Sequence, residues 1–222
     1  MLKAKIKNIM VSLLLPLCFL VVGYGILGAL AFPYIRPLHS IYAMISQNQT
    51  PDFLKEARQL YNQEKQLPTS GMIDASTLTK MKITDQYGKI DIDSVQIHVP
   101  LIYGATTKCL HMGAGQRIQS QMPGFDKPVM IGAHTIPYFK DLIKMEKGDT
   151  IKITTYYGIF EYKMTGSKIA KATDTQAYDL LQNKEQLILF TCYPVEGLGE
   201  KEDRFFVYAD KISGPTVVGE IK

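Results

Sequence analysis

Short runs of apolar residues with strand spacing fill the chain from Tyr87 onward, and they constrain its fold more than any other feature. Ile90 and Ile92, and then Ile97 and Val99, stand two residues apart. This period is that of half-buried strands, whose side chains alternate between two faces. Many short strands with few helices predict a mainly β fold that closes into a barrel over residues 87–222.

Further runs extend this pattern to the end of the chain. Thr150 to Tyr156 and Ile159 to Met164 predict a hairpin that turns at Tyr157-Gly158. Only short helices are predicted between the strands. They cover residues 137–145, ended by Gly148, and residues 175–181.

Before the barrel, residues 9–32 form an apolar segment without a charged side chain. As a helix this segment would be about 36 Å long, enough to cross a hydrocarbon core of roughly 30 Å. Lys3, Lys5 and Lys7 precede it, so the positive-inside rule places residues 1–8 in the cytoplasm and everything after Phe32 outside the cell. The alternative is a cleaved signal peptide, for which Ala29-Leu30-Ala31 resembles a cleavage site.

Residues 33–86 are predicted to form an extracellular stalk with an N-terminal helix. Thr50 is a suitable N-cap, Pro51 suits the first helical position, and apolar residues with helical spacing follow. Pro68 and Gly71 would end this helix. An inhibitory contact of residues 68–86 with the barrel remains an open alternative.

The charge of the chain argues against a nucleic-acid partner. The formal net charge is +4, and the three lysines before the apolar segment supply three of these four charges. The rest of the chain is therefore close to neutral and lacks the basic surface that binding to phosphates requires.

Three chemically useful residues stand at the ends of predicted strands. Cys192 ends the apolar run Leu187–Phe190, His134 follows Val129–Ala133, and Arg204 opens Phe205–Ala209. A thiolate is a nucleophile, histidine carries protons near neutral pH, and arginine can donate several hydrogen bonds to an oxyanion. Together they would suit acyl transfer, with Cys192 as a free thiol.

The other two cysteines fit different roles. Cys18 lies in the apolar segment. Cys109 lacks the strand-end context of Cys192, so we expect Cys109 to be a packing residue. On number alone, a disulfide between Cys109 and Cys192 is the alternative.

These residues resemble the sortases, the cysteine transpeptidases of Gram-positive cell surfaces. The family's Thr-Leu-x-Thr-Cys motif is matched by residues 188–192, although Ile188 replaces the first threonine. Residues 131–134 match the strand before the family's histidine, with Ala133 where many members have glycine, and residues 203–209 match the strand that its arginine opens. Residues 97–104 and 110–115 resemble the Pro-x-x-x-Gly and Leu-x-x-Gly-x-Gly segments, in the same order along the chain.

The resemblance implies an eight-stranded β-barrel and a sorting signal of the Leu-Pro-x-Thr-Gly type as substrate. It implies that Cys192 forms a thioester, that His134 protonates the leaving amine, and that Arg204 stabilises the oxyanion. Ala133 and Thr191 would contact the substrate. The chemistry requires neither a metal nor a cofactor, and the scattered acids of residues 174–185 do not form an ordered calcium-binding run.

The expected partners are surface proteins or pilins that carry the sorting signal, an amine of the cell wall or its precursor, and the membrane. The Thr-Cys-Tyr-Pro continuation and the single N-terminal apolar segment resemble class A or class D enzymes. Pilin polymerisation is an alternative within the family. Hydrolysis without transfer, and a non-catalytic anchored β-barrel, are alternatives of other kinds.

Overall fold

The computed structural model describes residues 14, 16–30, 52–53, 66–196 and 201–221. The chain divides into an N-terminal unit and a larger unit that begins at Gln49. Residues 16–30 are helical, and the rest of the predicted 9–32 segment, except residue 14, lies outside the described residues. Within the part of the chain that the structure covers, no helix has both the length and the apolar character needed to span a bilayer.

Eight strands of the larger unit close into a barrel, as the sequence predicts. The described residues form eleven strands, in this order: β1 Asp52–Phe53, β2 Met72–Asp74, β3 Asp85–Ile92, β4 Ile97–Tyr103, β5 Ala114–Gln116, β6 Val129–Gly132, β7 Thr150–Thr155, β8 Ile159–Lys171, β9 Gln186–Tyr193, β10 Asp203–Ser213 and β11 Thr216–Val218. The barrel runs β3-β4-β5-β6-β9-β10-β8-β7, and pairing of β3 with β7 closes it.

The β7–β8 hairpin shows why the alternating pattern forms this barrel. Ile151 stands opposite Tyr162, and Ile153 stands opposite Phe160. All four side chains are fully buried in the barrel interior. The intervening positions of β8, such as Glu161, are more exposed, so each strand presents one face to the core.

Strand β9 is apolar on both faces, because a second cluster covers its outer side. Leu187 and Leu189 point into the barrel, whereas Ile188 packs outside with Met130 and Phe206. Tyr178 of the β8–β9 connection packs against this outer cluster. A strand covered on both faces needs a continuous apolar run rather than alternation.

Helices are short, and two predicted ones differ from the structure. The helix predicted at 137–145 is a wide turn, Thr135–Phe139, kinked at Ile136, followed by a 3-10 helix, Lys140–Lys144. The helix predicted at 175–181 is a single 3-10 turn, Thr175–Ala177. In both places one or two turns give too few hydrogen bonds to hold a regular helix, and packing of the apolar side chains decides the conformation. From residue 71 onward, the other helices that the structure describes are 3-10 turns at Ala75–Thr77 and Asp93–Val95 and an α-helix at Thr107–Met112.

Two segments before the barrel form strands, one paired with barrel strand β3 and one paired with β11. The helix predicted to begin at Pro51 is wrong at its start, because Asp52–Phe53 pairs in parallel with β3. Backbone pairing with an available sheet edge overrides the local helical signal here. The continuation of that prediction, residues 54–65, lies outside the described residues. Further on, β2 pairs with β11, and Ala75 is buried in the barrel core.

Candidate active site

Cys192 and Arg204 stand directly opposite each other on neighbouring strands. β9 and β10 run antiparallel, and their register pairs these two residues. Residues paired in this way point to the same face of a sheet, with Cβ atoms about 5 Å apart. Cys192 is a free, partly exposed thiol, and the guanidinium of Arg204 is partly buried.

His134 reaches the same place from the other side of β9. β6 runs parallel to β9, with Gly132 opposite Phe190, and the Ala133 N–H donates to the Phe190 carbonyl oxygen at 3.2 Å. Continuing this register by two residues places His134 next to Cys192. The three predicted residues therefore come together because three adjacent strands, β6, β9 and β10, end at one edge of the barrel.

Hydroxyl groups hold these strand ends in place. The Thr191 hydroxyl donates to the Ala133 carbonyl oxygen at 3.0 Å. The Thr135 hydroxyl lies 3.1 Å from that of Thr191 and 3.2 Å from the carbonyl oxygen of Cys192. The side chain of Thr191 is thus buried and bonded to the backbone beside His134, and it fixes the spacing between β9 and the end of β6.

His134 has an unusual electrostatic environment. Its Nε2 atom is buried and makes no hydrogen bond with any residue that the structure describes. The ring of His111 stacks on the His134 ring, with centroids 5.7 Å apart. Burial, and secondly the charge of His111, lower the pKa of His134 below its ordinary value. A buried polar atom without a partner is costly, and such atoms often mark functional sites.

The guanidinium of Arg204 is oriented by the backbone before β10. Its Nη1 donates to the carbonyl oxygens of Lys201 at 2.7 Å and Asp203 at 2.9 Å. Among the described residues, its other N–H groups have no acceptor. A fixed guanidinium with free donors beside a thiol can bind an oxygen that becomes negatively charged.

A cleft of about 520 Å³ contains all three side chains. Its wall also includes the two residues predicted to contact substrate, Ala133 and Thr191, and that role stays a prediction. The other lining residues come from loops, from the helix Thr107–Met112 and from strands β6 and β9: Ile83, Gly104, Ala105, Thr106, Leu110, Arg117, Ile118, Gln119, Gly132 and Phe190.

Gly132 fits this cleft because Phe190 leaves no room for a larger residue. A Cβ atom at position 132 would lie 2.3 Å from Cζ of the Phe190 ring. The ring thus covers the β6 backbone and forms part of the cleft floor. The glycine of this motif lies two residues before His134, and the contact explains why the small residue is needed there.

Several residues of the site were not predicted as functional. His111 stands outside the three candidate strand-end residues, yet it stacks on His134. Arg117 brings a second guanidinium to the cleft, and Thr135 binds the Cys192 backbone. Thr135 follows His134 directly, so its position was a usable signal. Arg117 and His111 could be found only from the sheet register and the packing of the Thr107–Met112 helix.

Cys109 lies apart from this chemistry. It is free and fully buried, so the expectation of a packing residue is confirmed. No group of three or more side chains suited to bind a metal occurs within the described residues.

Comparison with known proteins identifies the fold and its chemistry. The family model described as a sortase domain matches residues 90–212, which is more than half of the chain. The chain belongs to the sortase family. Sortases are cysteine transpeptidases that act on substrates bearing a sorting motif, so the non-catalytic barrel is excluded as an interpretation.

Individual sortases agree with the family match. Sortase D of Bacillus subtilis (strain 168) is 27% identical over 179 residues, covering 78% of this chain and 89% of the relative. The structure of the sortase D5 transpeptidase of Clostridium perfringens is 25% identical, covers 72% of this chain and 95% of its own, and has a TM-score of 0.57. C. perfringens sortase C, solved with a C-terminal cell wall sorting motif, has a TM-score of 0.55 at 24% identity, covers 60% of this chain and 74% of its own, and shows the fold alone.

Proposed function

We propose that this sortase uses Cys192 as nucleophile, His134 as proton donor and Arg204 as oxyanion ligand on a Leu-Pro-x-Thr-Gly-like sorting signal. The observation that carries the proposal is the meeting of these side chains in one cleft, at the ends of three adjacent strands. Ala133 and Thr191, which line the same cleft, are proposed to contact the substrate beside the cleaved bond.

The first half-reaction forms a thioester. The Cys192 thiolate attacks the carbonyl carbon of the substrate threonine, a C–S bond forms, and the carbonyl oxygen becomes an oxyanion. The free N–H groups of Arg204 donate to that oxygen. The His134 imidazolium then gives its proton to the glycine nitrogen, the C–N bond breaks, and the acyl group remains on Cys192.

The second half-reaction transfers the acyl group to an amine. The amine of a cell-wall component or precursor attacks the thioester and loses its proton to the His134 imidazole. The C–S bond breaks and the Cys192 thiolate leaves, which restores the starting ion pair. The product is an amide that joins the surface protein to the cell wall.

The environment of His134 favours this exchange of protons. Its Nε2 has no internal partner among the described residues, so no hydrogen bond within the protein has to break before this nitrogen bonds to an amine. The lowered pKa makes the imidazolium a stronger acid toward a departing amine.

We further propose that the enzyme is of class A or class D and serves general surface-protein anchoring. The similarity to sortase D of B. subtilis, which extends over most of both chains, supports this assignment. Residues 9–32 would anchor it in the membrane, with residues 1–8 in the cytoplasm and the barrel outside the cell. The uncharged apolar segment and the three lysines before it support that topology.

Intact-mass spectrometry tests the catalytic proposal. The full chain is incubated with a Leu-Pro-x-Thr-Gly peptide, first alone and then with an amine such as triglycine. We expect an acyl adduct on Cys192, followed by a ligated product when the amine is present. The Cys109→Ala variant is the matched control and should form both.

The outcomes separate the alternatives. A cleaved peptide without ligation to any amine would favour hydrolysis. Ligation only to a lysine-bearing pilin segment would favour pilin polymerisation. Failure to acylate with every peptide of a panel would overturn the proposed residue roles and substrate.

A second experiment tests the anchor. We expect the full chain to resist carbonate extraction from membranes and a Leu20→Lys, Ile26→Lys double variant to be released, because two buried charges disfavour insertion. Protease added to intact spheroplasts should remove the barrel. Equal extraction of both proteins would contradict the proposed anchor.

A further inference from the structure

Arg117 places a second fixed positive charge in the cleft. It follows β5, and its backbone N–H donates to the Met130 carbonyl oxygen at 2.9 Å. Its own carbonyl oxygen accepts from the Ser120 hydroxyl at 2.7 Å. The guanidinium lies over the ring of Tyr178, with its carbon 5.7 Å from the ring centroid. The backbone bonds and the ring contact together restrict where this charge can go.

The charge of Arg117 has no internal counterion in the described part of the chain. No carboxylate there lies within ion-pair distance of it. The described residues that line the cleft include two arginines, Arg117 and Arg204, and no aspartate or glutamate. Arg204 stands opposite Cys192. Arg117 is therefore the arginine that can bind a different part of a substrate in the cleft.

The sheet register shows on which side of Cys192 the guanidinium of Arg117 lies. Tyr178 packs 6.3 Å from the ring of Phe206, which stands opposite Phe190 in the β9–β10 pair. Phe190 precedes Cys192 by two residues, or about 7 Å along the strand. The guanidinium over Tyr178 therefore lies on the Phe190 side of Cys192, away from the end of the strand.

The direction of the substrate follows from the position of His134. The leaving amine has to reach His134 at the strand end, so the acyl segment before the cleaved bond extends the other way, along Phe190. Given a threonine on Cys192, the preceding residue lies about 3.3 Å further along. A glutamate side chain there adds about 4 Å of reach, toward the side of the cleft that Arg117 lines.

We infer that Arg117, held by Tyr178, makes this sortase selective for a sorting signal with an acidic residue immediately before the threonine. The inference rests on the proposed function, because it uses the position of the threonine on Cys192. In a Leu-Pro-x-Thr-Gly signal this is the variable position. The guanidinium would form a charge-assisted pair with the carboxylate at the edge of the cleft.

Peptide binding to the full chain with Cys192→Ala tests this without requiring catalysis. Affinities are measured by fluorescence polarisation for three peptides that differ only in x: glutamate, glutamine and lysine. We expect glutamate to bind about fivefold more tightly than glutamine, since partly exposed charged pairs have effects of this size. Lysine should bind most weakly, and the glutamate preference should shrink in high salt.

Substitutions assign the preference to Arg117. In the same background, Arg117→Gln should bring the glutamate-to-glutamine ratio close to one, and Arg117→Glu should reverse it in favour of lysine. Lys127→Gln is the matched control, because it removes the same charge from the same β5–β6 connection but pairs with Asn183. This control should keep the wild-type ratio.

Substitutions of Tyr178 test the inference in a second way, because they leave the charge of Arg117 in place. Tyr178→Phe keeps the ring and should keep the preference, whereas Tyr178→Ala should weaken it. A ratio near one in the parent protein, or a preference that survives Arg117→Gln, would overturn the inference. Because binding is the readout, a failure to form the thioester would count against the proposed function alone.

Discussion

Cys109 and Cys192 are both free thiols of the larger unit, yet their surroundings differ in almost every respect. Cys109 is fully buried in the helix Thr107–Met112, and its Sγ lies 3.0 Å from the Thr106 hydroxyl that caps this helix. Cys192 is partly exposed at a strand end, in a cleft with a histidine and an arginine.

The difference shows that chain neighbours are a poor guide to the exposure of a cysteine. Cys192 ends an apolar run, whereas Cys109 follows the polar residues Thr106, Thr107 and Lys108. Local composition alone would predict that Cys192, rather than Cys109, is buried. Cys192 is nevertheless partly exposed, because it lies at the strand end on the outer face of the sheet, beyond the apolar cluster of Met130, Ile188 and Phe206.

The largest expected effect concerns turnover. Cys192→Ala should reduce transpeptidation by about 10⁴-fold or more, because the nucleophile is lost. Cys109→Ala should keep turnover within about twofold and instead lower the free energy of unfolding by about 1 kcal/mol, through loss of a small buried group. Peptide ligation and denaturant melts measure the two quantities. Loss of turnover in Cys109→Ala with native stability would break the contrast.

A smaller effect is expected in thiol reactivity. In the native full chain, iodoacetamide should modify Cys192 at least about 100-fold faster than Cys109, because the buried thiol reacts only after local opening. Site-resolved mass spectrometry of digests measures both rates. In denaturant the two rates should converge, and similar rates in the native protein would mean that Cys192 is not accessible in its cleft.

The smallest effect sharpens the description of the Cys192 region. Replacing His111 by glutamine removes one of the two causes that lower the pKa of His134, while burial remains. The His134 pKa should therefore rise, and the alkaline limb of the pH–rate profile should move to higher pH, since the donor stays protonated longer. NMR titration of the His134 ring measures the shift.

His98→Gln is the control for this titration. His98 lies on β4, and its Nδ1 atom is 2.9 Å from a carboxylate oxygen of Asp91 on β3. No hydrogen bond or ring contact joins His98 to His134. It should leave the His134 titration where it was. A downward shift in His111→Gln would contradict the role assigned to the His111 charge.

Much of the barrel could be predicted because its signals are local. Alternation in β7 and β8 indicated the hairpin, and the apolar run Leu187–Phe190 indicated the strand β9. The residues at three strand ends could be named for the same reason. The predicted helix after Pro51 failed at Asp52–Phe53, where pairing with β3 outweighs a capping signal.

Other features depend on contacts between distant parts of the chain. Residues 111 and 134 stack although 23 positions separate them, and Arg117 meets Tyr178 through the β5–β6 register and the loop before β9. The spacing of apolar residues in these segments predicts neither contact.

The sequence by itself determined most of the strands, the family motifs and the three candidate catalytic side chains at the strand ends, since each depends on residues close together in the chain. Only the tertiary structure decided which faces of those strands stay open, which histidine lies beside His134, and where the second arginine points. Strand register and barrel closure fix those relations, because they set which residues of different strands stand side by side.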